Sequence, residues 1–542
     1  MNKRTYIFQF MRIRILGLLV ISLICFSSFG QNKAKALLKM GEGRQAFLKK
    51  NYWGALDIYR QAAEYDSTNT LLDYRIGETQ YALKHYAIAK KYMLKVEAAN
   101  PELDAELPLV LGYIHHRLGE VEIAKEYYRT YRNNHSDSRG ERVNIKSLID
   151  QCDYAAEMIK NPLDVNIKNL GHSINSRNDD YAPSVTADGR ILVFTSRRPG
   201  VSNAVDENGD YRYFEDIYYS DWNMQNQEWE TAERFSENVN SPTHDGVLSM
   251  SPDGKELYVY KNDVDRAGDI FVSRFTANWS LPEKLPRPIN TSYFESSVSI
   301  TADGNTMFFI SERPAGLGRG DIYRSQRSGN NSWSKPENLG EVINTLHDEK
   351  FVFIHPNGNT LFFASNGHLT MGSYDIFRSV YVDGAWATPV NLGYPINTVN
   401  EESTFSMTAD NKKLLISAEY SDGMGERDIY EVDLSHTDIL HSLNIDSELL
   451  KSKSNVMIYG RVSDGMNDKP IVFQDLKVLN ANTDEKIYET RTDKRGSYEV
   501  SVPRGGSYII QIKGREGDMK SIKVNLKGMD IMDSEQREDI VF

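Results

Sequence analysis

Two hydrophobic periodicities divide the chain. Between residues 34 and 160 apolar positions recur at spacings of three and four with few prolines, which predicts helices. From about Ala182 to Leu434, short apolar runs alternate with polar turns, which predicts strands. The runs are Ile191–Phe194, Leu257–Tyr260, Thr306–Phe309, Thr360–Phe363 and Leu414–Ile416, rich in the β-branched and aromatic residues that fit a buried pleated surface. Each follows a turn: Asp188-Gly189, Asp253-Gly254, Asp303-Gly304, Asn357-Gly358 or Asp410-Asn411, at intervals of 65, 50, 54 and 53 residues. That period is about that of a four-stranded propeller blade, so residues 161–434 are expected to form a five-bladed β-propeller.

Each copy continues with an Asp-Ile-aromatic triplet beginning at Asp216, Asp269, Asp321, Asp375 or Asp428, read as the start of a third strand. Five aspartates at one repeat position predict bonds to backbone amides at a blade corner, and imply no active site. Trp229, Trp279, Trp333 and Trp386 mark a fourth strand, followed by Asn-Leu-Gly in the third and fourth copies and by a looser Pro-Glu-Lys-Leu in the second. No tryptophan follows the fifth triplet. An orphan Asn169-Leu170-Gly171 with Ile174-Asn175 stands upstream instead, so residues 165–171 are expected to supply the missing outer strand and remove an open sheet edge. The long first interval places an insertion at Arg197–Glu215. Its Asp206–Asp210 run superficially resembles a calcium loop, but the glycine stands fourth where an EF-hand needs it sixth.

The helical region repeats too. Gly43, Gly77 and Gly112 are 34 and 35 residues apart, with Ala55, Ala89 and Ala124 twelve residues after each and Tyr59, Met93 and Tyr128 four later. The pattern resembles the tetratricopeptide repeat, in which small residues let paired helices cross closely, so residues 31–160 are expected to form an all-α tetratricopeptide solenoid. Residues 140–160 read as its capping helix. The concave face of such a stack is expected to bind an extended peptide or helix, the alternative being that the three units only dock on the propeller. Past a polar connector at 435–455, Ile458–Val462, Lys477–Leu479, Thr492–Val500 and Gly506–Ile512 read as short strands with glycine turns. Their Gly460-Arg-Val462, Gly496-Ser-Tyr498 and Gly506-Ser-Tyr508 resemble the carboxypeptidase regulatory-like domain, a transthyretin-like β-sandwich, over residues 456–542.

Length and charge narrow the reading. The chain's 542 residues exceed what one core supports. Its net charge of −13 would repel phosphate backbones and anionic lipid, so nucleic acid is excluded as an expected partner. Lys3, Arg4, Arg12 and Arg14, then apolar Ile15–Phe26 and Ser27–Gly30, make residues 1–30 a secretory signal, with Met11 an alternative start. The apolar run is short for a membrane span, so no transmembrane segment is expected after cleavage. Cys25 follows Ile24, where a lipid-attachment motif needs a small residue. Cys152 is then the only remaining cysteine, which excludes an intramolecular disulfide and reads as a small buried side chain in a helix.

Taken together, the signal, the helical repeats, a PD40/WD40-like propeller and the regulatory-like sandwich resemble the OmpA family of multidomain envelope proteins, which includes accessory components of type IX secretion. The resemblance implies a periplasmic location at the outer membrane and envelope proteins, outer-membrane or secretion-complex components, as partners. Members commonly carry a peptidoglycan-binding domain after the sandwich; residues 513–542 show no Asp and Arg pair of the kind it uses, so peptidoglycan association is expected to be indirect.

A hydrolase is the competing class. No Gly-x-Ser-x-Gly elbow is present. A propeller glycosidase would need unique carboxylates at its funnel, whereas Glu295, Glu349 and Glu401 are read as recurring in register after Asn290, Asn344 and Asn397, with Glu402 unmatched. His172, His244, His347 and His355 lack metal-ligand spacing. The expectation is a non-catalytic scaffold without cofactor or metal; a glycan- or peptidoglycan-binding propeller and a propeller glycosidase are the alternatives.

Overall fold

The computed structural model describes residues 31–134, 144–207, 209–261, 268–329, 332–420, 422–437, 455–465, 469–503, 505–514, 518–527 and 535–542. The signal expectation at 1–30, with Met11 and Cys25, and most of the 435–455 connector lie outside the described residues. The chain divides into two compact units: the helical residues up to Cys152 with Asp206–Arg212, and residues 153–205 with 213–542.

The helical unit begins with α1 (residues 31–48), α2 (Tyr52–Tyr65), α3 (Thr70–Ala82), α4 (Tyr86–Ala99), α5 (Leu107–Arg117) and α6 (Val121–Asn134). Asn51 and Asn69 start α2 and α3 by accepting from Gly54 N at 2.9 Å and Leu72 N at 3.1 Å, which satisfies amides that have no partner inside the helix. Gly77 and Gly112 explain the repeat. A Cβ at Gly77 would lie 3.0 Å from Met93 Cε, and one at Gly112 only 2.6 Å from Tyr128 Cε1. Gly43 meets Tyr59 in the same way. Each glycine therefore makes room for the bulky residue sixteen positions later on the partner helix. Ala55, Ala89 and Ala124 are fully buried beside these contacts, where a larger side chain would force the helices apart. The next helix, α7 (Ile145–Lys160), holds Cys152 fully buried with Sγ 3.8 Å from His116 Nδ1. No helix among the described residues is long and apolar enough to cross a membrane.

The second unit opens with five antiparallel sheets in succession. Their first strands are Asp180–Val185, Asp245–Met250, Glu295–Ile300, Glu349–Ile354 and Thr404–Met407, each paired with a second strand that pairs with a third. Successive first strands pack side by side, and the fifth packs on the first, so the sheets close into a ring. The connecting turns require left-handed backbone, which Gly189, Gly254, Gly304 and Gly358 adopt at φ of 66° to 76° and Asn411 at 60°. The preceding side chain fixes each turn: Asp303 Oδ1 accepts from Asn305 N at 3.0 Å and Asp410 Oδ1 from Lys412 N at 3.0 Å.

The outer strand of the last sheet comes from far upstream. Asn166–Asn169 pairs antiparallel with Asp428–Asp433, in the register Asn166 to Asp433 through Asn169 to Tyr430, as the orphan Asn-Leu-Gly predicts. In the first, third and fourth sheets the outer strand is split: Trp229, Trp333 and Trp386 sit in two-residue segments, and Glu233–Arg234, Glu337–Asn338 and Val390–Asn391 pair separately with the third strand. The second sheet keeps only Glu283–Lys284 and an isolated bridge from Trp279 to Phe275.

Two further four-stranded sheets follow. One holds Asn455–Ser463, Ser497–Pro503, Glu535–Arg537 and Ile540–Val541; the other holds Asp475–Asn480, Lys486–Arg491, Ser507–Lys513 and Met519–Asn525. Val456, Ile458, Val500 and Val502 of the first share one core with Leu476, Val478, Ile510 and Ile512 of the second, so the apolar faces of the two sheets meet.

Candidate functional site

All five triplet aspartates are buried at the start of a third strand. Asp321 accepts from Leu317 N and, at 3.0 Å, from Gly318 N of the loop before it, and Asp428 does the same for Met424 N at 2.6 Å and Gly425 N at 3.0 Å. Asp375 accepts from Met371 N at 2.8 Å and Asp216 from Val201 N at 2.7 Å. A second partner comes from the outer strand: Asn338, Asn391 and Asn169 donate to Asp321, Asp375 and Asp428 at 2.7–2.8 Å. The second sheet carries Lys284 there, which instead donates an ion-paired bond to Asp269.

The residue that ties each unit together is one the sequence reading left in the background. Asn240, Asn290, Asn344, Asn397 and Asn175 each accept from the triplet isoleucine N–H (Ile217, Ile270, Ile322, Ile376, Ile429) at 2.8–2.9 Å. Each also donates to the carbonyl of that same isoleucine at 2.8–3.0 Å. A carboxamide carries one acceptor and one donor group side by side, so it can satisfy both backbone groups of one residue where a carboxylate could not. The recurrence of Ile-Asn or Val-Asn after each outer strand was the available signal.

All five acids at the head of the first strands follow the same logic, and the fifth copy corrects the register expected from sequence. Glu295 accepts from Thr291 N at 2.8 Å and Thr291 Oγ1 at 2.6 Å; Glu349 from Thr345 N at 3.1 Å and Oγ1 at 2.9 Å. The matching residue in the fifth copy is Glu402, on Thr398 N at 2.8 Å and Oγ1 at 2.6 Å. Glu401, expected at that position, is displaced by one and bonds Ser403 Oγ at 2.8 Å and ion-pairs with Lys350. The reason is geometric: the acid must stand four residues after the threonine to reach back to its amide. Asp180 and Asp245 occupy the position in the first two copies, on Ser176 N at 2.6 Å and Ser241 Oγ at 2.7 Å.

Electrostatics separate the copies. Arg198 reaches Asp180 at 2.6 Å and Arg313 reaches Glu295 at 3.5 Å. Neither Glu349 nor Glu402 has such a partner among the described residues; burial pushes Glu349 up to about 7 and Glu402 up to about 8, against the threonine bonds that hold them down. Elsewhere Glu215 is driven up by burial but held down to about 2 by its bond to His244 and by Arg197.

Space for a ligand on the ring axis is small. Residues of all five first strands, among them Val185, Met250, Ile300, Ile354 and Met407, line a cavity of about 20 Å³, scarcely more than one water occupies. Ala187, Ala302 and Ala409, just past three of these strands, are buried together with Met457 of the C-terminal sheets. Among the described residues no group of three His, Cys, Asp or Glu is placed to hold a metal. The Asp206 loop closes on itself, with Gly209 N donating to Asp206 Oδ1 at 2.9 Å. In the helical unit Trp53, Ile88 and Ile123, each in the first turn of α2, α4 or α6, are 53%, 46% and 47% exposed.

No family model matches the chain, and no curated protein matches it. Among solved structures it is similar to TolB from Acinetobacter baumannii, 13% identical over 64% of this chain and 65% of that one, with a TM-score of 0.31. It is also similar to the first TPR domain of human RPAP3 (19% identical, 24% of this chain, 99% of that one, TM-score 0.22) and to the Arabidopsis OM64 TPR domain (16%, 22% and 96%, 0.20).

Proposed function

We propose that this chain is a non-catalytic, exported scaffold or adaptor of the cell envelope, held in the periplasm at the outer membrane by protein partners. The carrying observation is that the repeat-position acids, in the triplets and at the heads of the first strands, are engaged by backbone amides, hydroxyls and carboxamides of the fold. Buried acids whose oxygens are taken up by the fold's own donors are out of hydrogen-bond reach of a substrate. The narrow space between the first strands supports the same reading. The solvent-facing Trp53, Ile88 and Ile123 give the helices an apolar row suited to a protein partner. In the finer reading, the ring is a five-bladed PD40/WD40-like propeller and the C-terminal sheets a carboxypeptidase regulatory-like domain. The arrangement then resembles the OmpA family and within it the type IX secretion accessory protein PorE. Separate modules holding separate partners raise the effective concentration of one near another.

The test is cross-linking and co-purification from envelopes, beside assays of the purified protein on glycans and peptides. Full-length protein should recover envelope proteins, and a chain without residues 31–160 should lose one set of them while retaining others. Turnover that disappears on changing one loop carboxylate would establish the enzyme reading instead.

A further inference from the structure

A cavity of about 580 Å³ lies where the first two sheets of the ring meet the C-terminal sheets. Its size is that of small-ligand sites. One part of its wall is acidic: Asp188 and Asp253 come from the turns after two first strands, and Glu499 from the strand Ser497–Pro503. Glu499 is only 7% exposed, and its Oε2 has no hydrogen-bond partner among the described residues. Of the four cations that line the cavity, Arg234, Lys255, Lys494 and Arg495, two are held by other groups. Lys255 donates to Thr490 Oγ1 and, at 2.6 Å, to the Arg491 carbonyl, while Arg495 pairs with Asp221. An unpaired buried carboxyl is costly, and here burial and the charges of Asp188, Asp253 and Asp493 push Glu499 well above the usual carboxylate range, Lys255 only partly opposing them, so a bound cation would take the place of the proton that Glu499 otherwise keeps.

Another part of the wall is aromatic. Tyr219, Phe235, Phe275 and Trp279 line it, with Phe235 5.1 Å and Phe275 5.4 Å from Trp279 between ring centroids. Aromatic faces beside an acid favour an organic cation, whose charge meets the carboxylate while its alkyl part lies on the rings. A bare metal ion suits the site poorly, since among the described residues no three acids are placed to hold one.

We propose that this cavity binds an alkylammonium or guanidinium group, with Glu499 as its counter-ion and the Trp279 cluster as its wall. The group could be carried by a lysine or arginine of a peptide or by a free diamine.

The full chain should be titrated calorimetrically with cadaverine, with acetyl-Gly-Lys-Gly-amide and with acetyl-Gly-norleucine-Gly-amide. A charged ligand should bind about tenfold or more tighter than the norleucine peptide, as expected for one charge-assisted bond. Binding of the lysine peptide alone identifies a peptide segment, and binding of cadaverine alone a free amine; either supports the site. E499Q should weaken binding by a similar factor, and W279L, on the aromatic part of the wall, provides a second reading if E499Q does not fold. Equal binding of the norleucine peptide, affinity unchanged in a folded E499Q or W279L, or no binding of either cation would overturn the proposal.

Discussion

Asn169 Nδ2 donates to Asp428 Oδ2 at 2.8 Å across 259 residues of sequence. The same bond joins Asn338 to Asp321 at 2.8 Å and Asn391 to Asp375 at 2.7 Å within single sheets. The strand that closes the ring therefore uses the chemistry of any other outer strand. Closure leaves the third strand Asp428–Asp433 no open edge.

Asn175→Ala tests this closure. It removes the carboxamide that pairs Ile429 N and O, both buried, and the 2.8 Å bond to Asn169 Oδ1. Roughly 1–3 kcal/mol is expected for each buried group left unpaired. Chemical denaturation should show a lower midpoint. A midpoint equal to that of the parent would mean the upstream strand contributes nothing to the ring.

Asp321→Ala should act by the same mechanism, leaving Leu317 N and Gly318 N without their acceptor. The loss is roughly 1–3 kcal/mol for each group left both buried and unpaired, and less for Leu317 N, whose residue is 38% exposed, with protein partners retained at temperatures where the variant stays folded. Loss of partner capture by a fully folded variant would show that this aspartate has a role beyond the corner it holds.

Gly112→Ala should destabilise the helical unit, because the new Cβ would fall 2.6 Å from Tyr128 Cε1 and the ring, fully buried, has little room to give. Overpacking of this kind costs about 1–3 kcal/mol. Adding Tyr128→Leu should recover part of it. If the double variant is no more stable than Gly112→Ala, the glycine serves something other than this contact.

What could be read from the sequence was what repeats locally. The Asp-Gly turns, the triplets and the glycine-to-aromatic spacing each use residue types whose geometry is dictated within one unit, so their recurrence shows in the letters. The Glu401 and Glu402 pair did not resolve because two adjacent glutamates are alike in type, and only the four-residue reach to Thr398 distinguishes them. Asp180 and Asp245 escaped notice for a related reason, since a shorter acid fills the position that glutamate holds in later copies. The cavity at Glu499 had no sequence signal at all. It is assembled from two turns and a strand more than 200 residues apart, and only tertiary packing brings Asp253 to the side of Glu499.

Two glutamates without an ion-pair partner among the described residues give the ring a pH dependence of definite sign. Glu349 and Glu402, lifted by burial to about 7 and about 8 from an ordinary 4.5, keep their protons in the folded chain after the unfolded chain has lost them. Between pH 4.5 and 8 the folded state binds more protons, so the stability they contribute is complete below 4.5 and is lost as pH rises through 7 and 8. Glu215 and Glu401, held at about 2, act oppositely: their contribution is present above 4.5 and is lost as pH falls toward 2. Glu402→Gln keeps a neutral group of the same shape that needs no proton to remain uncharged. Its melting temperature relative to the parent should therefore rise between pH 5 and pH 8.5, values chosen to lie inside and above the window. A difference between the two proteins that stays constant across that range would show that Glu402 is already ionised in the fold.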